Sequence, residues 1–297
     1  MAFEGFEVAD FDTSGARIHF RHGGRGKPLL LLHGNPLTHY SWHKIADRLA
    51  EDFHVVAADL RGYGDSSAPE PGENNINYSF RAMAQDMVEV MASLGFDRFN
   101  VAGIDRGART THRMCLDHPD KIDRVMIIDI APSDVVWRRM NMEMSIRSWH
   151  WSLMAQPAPL PERMMGSVPA DWYIEQKCKS SIGDHIVGSG VFTPDAFNEY
   201  VRCFNEKTIR GSCGDYRAAA TCDLQMDIAD LDKQVTAPLR LLWGNLSHAG
   251  RFYGDLTQIW RNYAADLRGG RALDCGHYVN EEAPDETYAA LIEHFRE

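Results

Sequence analysis

An aspartate stands at the centre of Gly103-Ile104-Asp105-Arg106-Gly107, directly after the short apolar run 99–102. Small residues on both sides permit a sharp strand-to-helix turn that exposes the central side chain, a geometry that presents a nucleophile above a sheet. A carboxylate attacking an ester or amide would give a reactive anhydride, whereas attack on an sp3 carbon gives a stable alkyl ester that is hydrolysed in a second step. Asp105 therefore points to displacement at carbon, on a halide or an epoxide. The alternative is a helix-capping aspartate that bonds only the first amides of the helix. Three further segments bear on that choice. His33-Gly34-Asn35-Pro36 ends an early apolar strand, where the backbone N–H of Asn35, together with that of Arg106, can hold an oxyanion. Asp129 closes the run Arg-Val-Met-Ile-Ile-Asp, and His277 follows the last strand, so nucleophile, acid and histidine stand in that order at three strand ends. In such a set Asp129 holds the His277 ring in one tautomer, and the free ring nitrogen takes a proton from the water that splits the ester.

Arg106 and Arg109 lie three residues apart at a helix start and so face the same way, beside Asp105. A cation is poorly placed at the positive end of a helix dipole. Two of them there suggest an anionic group to neutralise, and in a chain of formal charge -11 a small carboxylate needs such a local site in order to bind. The structural alternative is that one arginine pairs with an acid and only braces the helix.

Positioning these residues requires strands that alternate with helices. Strand-like character appears at 16–22, 27–33, 53–60, 99–102, 124–130, 238–243 and 271–274, and the continuous apolar runs among these, such as the four leucines of 29–32, suit strands buried on both faces. Ser79 opens a segment with Met83, Met87, Val90, Met91 and Leu94 at helical spacing and Gly95 as its stop, and Tyr288, Leu291, Ile292 and Phe295 repeat that spacing near the C-terminus. This alternation predicts an α/β fold with a mostly parallel sheet covered on both faces. From 133 to 223 the character changes to Trp- and Met-rich helix with a Pro-rich turn at 156–161, the size of an inserted helical cap. The expected organisation is a core of 1–132 and 224–297 interrupted by a cap of 133–223.

Composition agrees with one folded enzyme domain carrying an insert: 297 residues, 44% apolar and 25% charged. Thirty-one basic against 42 acidic residues repel phosphate backbones and anionic membranes, which argues against nucleic-acid binding. No apolar run approaches the roughly 20 residues needed to span a bilayer, and the acidic N-terminus lacks a basic, apolar leader, so a cytoplasmic protein is expected. The six cysteines are scattered without a C-x-x-C pair and are expected as packed thiols. Asn77-Tyr-Ser and Asn245-Leu-Ser match the glycosylation pattern, which without a leader is read as chance.

Taken together, these residues resemble the haloacetate dehalogenases of the α/β-hydrolase superfamily, most closely the fluoroacetate dehalogenases, over nearly the whole chain. The likeness is specific in the cap, at Trp149-His150-Trp151-Ser-Leu-Met-Ala-Gln-Pro-Ala-Pro-Leu-Pro161-Glu162 and at Gly214-Asp215-Tyr216-Arg217-Ala. It implies an α/β-hydrolase fold, Asp105 as nucleophile, Asp129 and His277 as its partners, Arg106 and Arg109 on the substrate carboxylate, and His150, Trp151 and Tyr216 on the halide. It further implies a small haloacid substrate, a homodimer, and no metal or organic cofactor. Fluoride is a poor leaving group with a tightly held hydration shell, so several donors aimed at one point must replace water as its charge develops. Read without the resemblance, His150 and Trp151 are ordinary aromatic packing beside Trp149. Two positions depart from the family: Ile104 stands where His is common, and Asn35 where an aromatic residue is common. An epoxide hydrolase, with Tyr173, Tyr200 or Tyr216 protonating the ring oxygen, is the alternative enzyme. A noncatalytic ligand receptor on this fold would keep the pocket and lose the triad.

Overall fold

Glycine at two positions beside Asp105 sets how closely the sheet and its covering helix approach. The computed structural model describes residues 2–182 and 190–297, the side chains of 180–182 excepted. Among the described residues eight strands form one sheet: β1 (Glu7–Asp12), β2 (Arg17–Gly24), β3 (Lys27–Leu32), β4 (Phe53–Ala58), β5 (Phe99–Ile104), β6 (Ile122–Ile128), β7 (Leu239–Gly244) and β8 (Leu267–Leu273). Their spatial order is β1-β2-β4-β3-β5-β6-β7-β8. β1 pairs with β2 and β2 with β4 antiparallel, and every other pairing is parallel. Alternate residues of the central strands feed two apolar layers. Leu30, Leu32, Val56, Val101, Val125 and Ile127 join one layer, and Leu29, Leu31, Val55, Ala102, Met126 and Ile128 join the other. Both faces are covered, which is why these segments carry continuous apolar runs.

The edge strands differ from expectation. β1, Glu-Val-Ala-Asp-Phe-Asp, was not anticipated, because it is largely exposed and carries acids that blunt a sheet edge. β8 begins at Leu267, earlier than the expected 271, in a Gly-rich and mostly exposed stretch with little apolar signal. The helix Phe80–Ser93 starts as expected, with Ser79 Oγ accepting from the Ala82 N–H at 3.2 Å.

Between β6 and β7 the described residues form helices only: Ser133–Arg139, Met142–Arg147, Trp149–Met154, Leu160–Gly166, Ala170–Ile182, Pro194–Cys203, Glu206–Ala220 and Cys222–Ala229. The expected cap, 133–223, includes residues 183–189, which lie outside the described residues, and its expected end falls inside the helix Cys222–Ala229. This helical layer is tied to the core by Tyr63 Oη donating to Asp215 at 2.6 Å and by the Phe80 N–H donating to Asp223 at 2.9 Å. All six cysteines are buried free thiols. Among the described residues no helix is long and apolar enough to cross a membrane.

The helix Arg106–Asp117 follows β5 through the turn at Asp105. A Cβ on Gly103 would lie 2.5 Å from the Gly107 carbonyl carbon, and one on Gly107 would lie 2.5 Å from the carbonyl oxygens of Leu32 and His33. The backbone closes there with the Gly107 N–H donating to His33 O at 2.8 Å. Gly107→Ala is therefore expected to overpack the turn and lower stability by about 1–3 kcal/mol. A urea denaturation midpoint equal to that of the unmodified protein would contradict this account of the turn.

Candidate active site

The turn holds Asp105 at φ 50°, ψ -115°, a strained backbone for a non-glycine residue. Asp105 occupies the cap position of its helix, yet its side chain makes no capping bond, so the helix-capping alternative fails. Instead Oδ2 accepts from the Asn35 N–H at 2.9 Å and lies 3.9 Å from Nε2 of His277. Burial alone would raise the carboxyl pKa; His277, Arg106 and Lys177 together hold it well below the usual carboxylate range. The Arg106 N–H, first in the helix, belongs to the set that has no partner within the helix.

Asp129 ends β6 in a second left-handed residue, φ 56°. Its Oδ2 accepts from Nδ1 of His277 at 2.5 Å, while Oδ1 accepts from the Gly244 N–H at 2.9 Å and from Ser247 Oγ at 2.7 Å. The carboxylate is thereby fixed on three sides, and the ring it holds turns Nε2 toward Asp105. Burial would lower the His277 pKa, but the Asp105 and Asp129 carboxylates outweigh it and raise it to about 9. The structure thus brings Asp105, Asp129, His277 and the Asn35 amide together.

The two arginines separate in role. Arg109 lines the cavity in front of Asp105; its Nη1 donates to Ala131 O at 3.2 Å and Ser133 Oγ at 2.9 Å, and Nε has no partner among the described residues. Burial and the neighbouring Arg106 pull its pKa down to about 10. Arg106 is fully buried and gives Nε and Nη2 to Asp215, leaving only Nη1 without a partner. It does not line the cavity; its guanidinium lies 4.2 Å from the Tyr216 ring centroid.

The three aromatic candidates meet. Tyr216 packs edge-on to His150 at 5.7 Å and to Trp151 at 5.8 Å between ring centroids. His150 Nδ1 and Tyr216 Oη are buried without a partner among the described residues. Burial and then Lys177 lower the His150 pKa, keeping the ring neutral. His150 and Trp151 line the cavity and Tyr216 stands behind them. Of the alternative tyrosines, Tyr200 donates to Glu281 at 2.5 Å and Tyr173 stacks on Phe204 at 4.5 Å; neither lines the cavity.

The cavity measures about 60 Å³ and is lined by Asp105, Arg109, Asp129, His150, Trp151, Lys177 and His277 among others. About 10–15 Å³ of such space admits one water, so the room suffices for roughly four to six small atoms. Ile104 turns away into the apolar layer with Ala102 and Ile128, so its departure from the family leaves the cavity wall unchanged. Asn35 contributes its backbone N–H, and its side chain does not line the cavity. Among the described residues the one group with metal-ligand proximity is His19, His39 and Asp59. Its atoms are already engaged: Asp59 Oδ1 bonds His39 Nδ1 at 2.9 Å, Arg21 donates to His39 Nε2 at 3.2 Å, and His19 bonds Asp10 at 3.0 Å.

Sequence reasoning missed Ser247, which braces Asp129, and Lys177, which enters the cavity. The serine had a signal as the cap of the helix His248–Tyr253. The lysine had one as a charge on the same helical face as Tyr173, Ile174 and Cys178. It also missed the role of Asp215 as partner of Arg106.

A carboxylate at the strained turn after a central parallel strand, with an acid and a histidine at two later strand ends, defines the hydrolase class of this fold. The chain belongs to the α/β-hydrolase family. The family profile, described as alpha/beta hydrolase fold, matches residues 27–166. The chain is 39% identical over 98% of its length to a fluoroacetate dehalogenase from Burkholderia sp, covering 94% of that protein. It is 30% identical to a soluble epoxide hydrolase from Corynebacterium sp. (strain C12), with 95% of this chain and 94% of that one covered. A solved α/β-hydrolase structure from Nostoc sp PCC 7120 superposes with a TM-score of 0.94 at 46% identity, over 99% of each chain.

The His277 environment is open to titration. Its folded pKa of about 9 exceeds the ordinary 6.5, so the ion pairing contributes stability fully below 6.5, and that contribution is lost as pH rises through 9. Asp105→Asn removes one of the two anions, and the His277 ring resonances in NMR are expected to titrate at a lower pH than in the unmodified protein. An unchanged midpoint would refute the pairing.

Proposed function

We propose that the protein hydrolyses 2-haloacetates, fluoroacetate among them, to glycolate and halide. The observation that carries this reading is the cavity: a space for a few atoms in which an anionic, amide-held Asp105 faces the cationic Arg109. The identity with the Burkholderia fluoroacetate dehalogenase supports it. In this reading Arg109 takes the substrate carboxylate, Arg106, held by Asp215, stands behind the cavity wall, and the halogen points at His150 and Trp151 with Tyr216 behind them. Oδ2 of Asp105 is held by the Asn35 amide, so Oδ1 attacks the α-carbon from the side opposite the halogen. The carbon–oxygen bond forms, the carbon–halogen bond breaks, and halide leaves with its electron pair.

As an ester Asp105 no longer carries a negative charge, so one of the two anions that support a protonated His277 disappears. Its proton departs and Nε2 becomes the base that takes a proton from water. The hydroxide so formed attacks the ester carbonyl, whose oxyanion is held by the N–H groups of Asn35 and Arg106. Glycolate leaves, Asp105 is restored, and His277 keeps the proton taken from water. The net reaction releases one proton per turnover, and this scheme places that release in the first half.

The second reading, epoxide hydrolysis with the same nucleophile, is favoured by the similarity to the Corynebacterium epoxide hydrolase and by the unpartnered Tyr216 hydroxyl. The buried cations beside Asp105 weigh against neutral epoxides. The resemblance also implies a homodimer, which sedimentation of the purified protein measures.

Incubation with fluoroacetate, chloroacetate and a styrene-type epoxide is expected to give free halide and no diol; diol without halide would select the second reading. Asp105→Ala is expected to lower halide release by about 10⁴-fold or more while the fold is retained; undiminished release would overturn the mechanism. His277→Ala should accumulate the alkyl-enzyme, seen in intact-protein mass spectrometry. In stopped-flow with a pH indicator at pH 8, the proton should appear with the halide burst, and appearance only with ester hydrolysis would contradict the role given to His277.

A further inference from the structure

A buried ammonium is one of the most costly groups to desolvate and costs least where negative charge forms beside it. Lys177 is such a group. It lies on the inward face of the helix Ala170–Ile182 with Tyr173, Ile174 and Cys178, is only 1% exposed, and lines the cavity with Asp105, His150 and His277. Of the carboxylates, Asp105 acts most strongly on Lys177. Lys177 in turn is the leading charge acting on His150. Arg109 is placed elsewhere, 4.9 Å from the Trp151 ring centroid and bonded to Ala131 and Ser133. The two cations of the cavity are therefore held differently: Arg109 is bonded to Ala131 and Ser133, and Lys177 lines the cavity with Asp105 and His150.

Displacement moves one negative charge. When Asp105 bonds to the α-carbon and the carbon–halogen bond breaks, the charge leaves the carboxylate and appears on the halide. His150, Trp151 and Tyr216 are neutral donors there, able to replace water but carrying no net charge. We propose that Lys177 is a further catalytic residue of this site, its ammonium group contacting the departing halide beside His150 and following the charge from Asp105 to the leaving group. The inference rests on the haloacetate reading above. It assigns the anion of the leaving group, rather than the substrate carboxylate, to this lysine.

The two assignments differ in how they depend on the halogen. Full-length Lys177→Met is compared with the unmodified protein in rapid mixing with fluoroacetate and bromoacetate, following halide release and decay of the ester by quenched mass spectrometry. The burst of fluoride is expected to slow about 10²-fold. Bromide release is expected to slow by less than about tenfold, because bromide needs less help to leave. Ester hydrolysis and inhibition by glycolate should be unchanged, and Lys177→Arg should recover part of the fluoride burst. Equal slowing for both halogens, weakened glycolate binding, or no slowing would overturn the proposal. Lys177→Gln, with a polar head on a similar stem, carries the same comparison should Lys177→Met not fold. Chloride affinity, read from quenching of tryptophan fluorescence, tests the lysine without turnover: loss of about tenfold in Lys177→Met supports the anion site, and equal affinity overturns it. If the unmodified protein releases no halide from any haloacetate, the haloacetate reading fails by itself, and the chloride measurement still decides the role of Lys177.

Discussion

The helix Arg106–Asp117 is pressed against the ends of β3 and β5 more closely than any side chain at 103 or 107 would allow, and this contact governs the site. With the Gly107 amide bonded to the His33 carbonyl, the chain leaves β5 without room for an ordinary turn, and Asp105 takes up the strain at φ 50°. In that conformation the carboxylate cannot fold back to cap its own helix. It is directed over the C-terminal ends of the parallel strands, where the Asn35 amide bonds Oδ2. Backbone strain thus gives a carboxylate that is oriented and not used as a cap, and His277, Arg106 and Lys177 keep it ionised.

Charge is arranged around that carboxylate in layers. Asp129, bonded by Gly244, Ser247 and His277, fixes the imidazole from behind, and the two acids together hold its proton. Arg109 and Lys177 border the cavity, while Arg106 is neutralised by Asp215 and forms a rigid floor under Tyr216. A protein of net charge -11 repels small anions in bulk, and the two cations that border the cavity offset that charge locally. Aromatic rings with polar atoms unpartnered among the described residues form another part of the wall, and the low polarity of so small a space strengthens each of these interactions.

Much of this was legible in the residues alone. The central strands were readable because they are buried on both faces and must be apolar throughout, Asp105 and Asp129 because each follows such a strand, and His277 because it follows the last strand in chain order. β1 and the start of β8 were not, since an edge strand is stabilised by backbone pairing and carries charges or glycines that look like loop. Ser247 and Lys177 escaped for a related reason. A capping serine or a lysine on a helix is commonplace in sequence, and its significance lies in what stands across from it.

The sequence by itself therefore determined the alternation of strands and helices, the family, and the identity of the groups at the strand ends, because burial and turn geometry impose local residue requirements. Only the tertiary structure decided that Asp105 is not a cap, that Arg106 is committed to Asp215 while Arg109 faces the cavity, that Tyr200 is held by Glu281, and that Lys177 is present at all. Those outcomes depend on distances between residues far apart in the chain. Coulombic and hydrogen-bond energies fall steeply with such distances, and no local pattern encodes them.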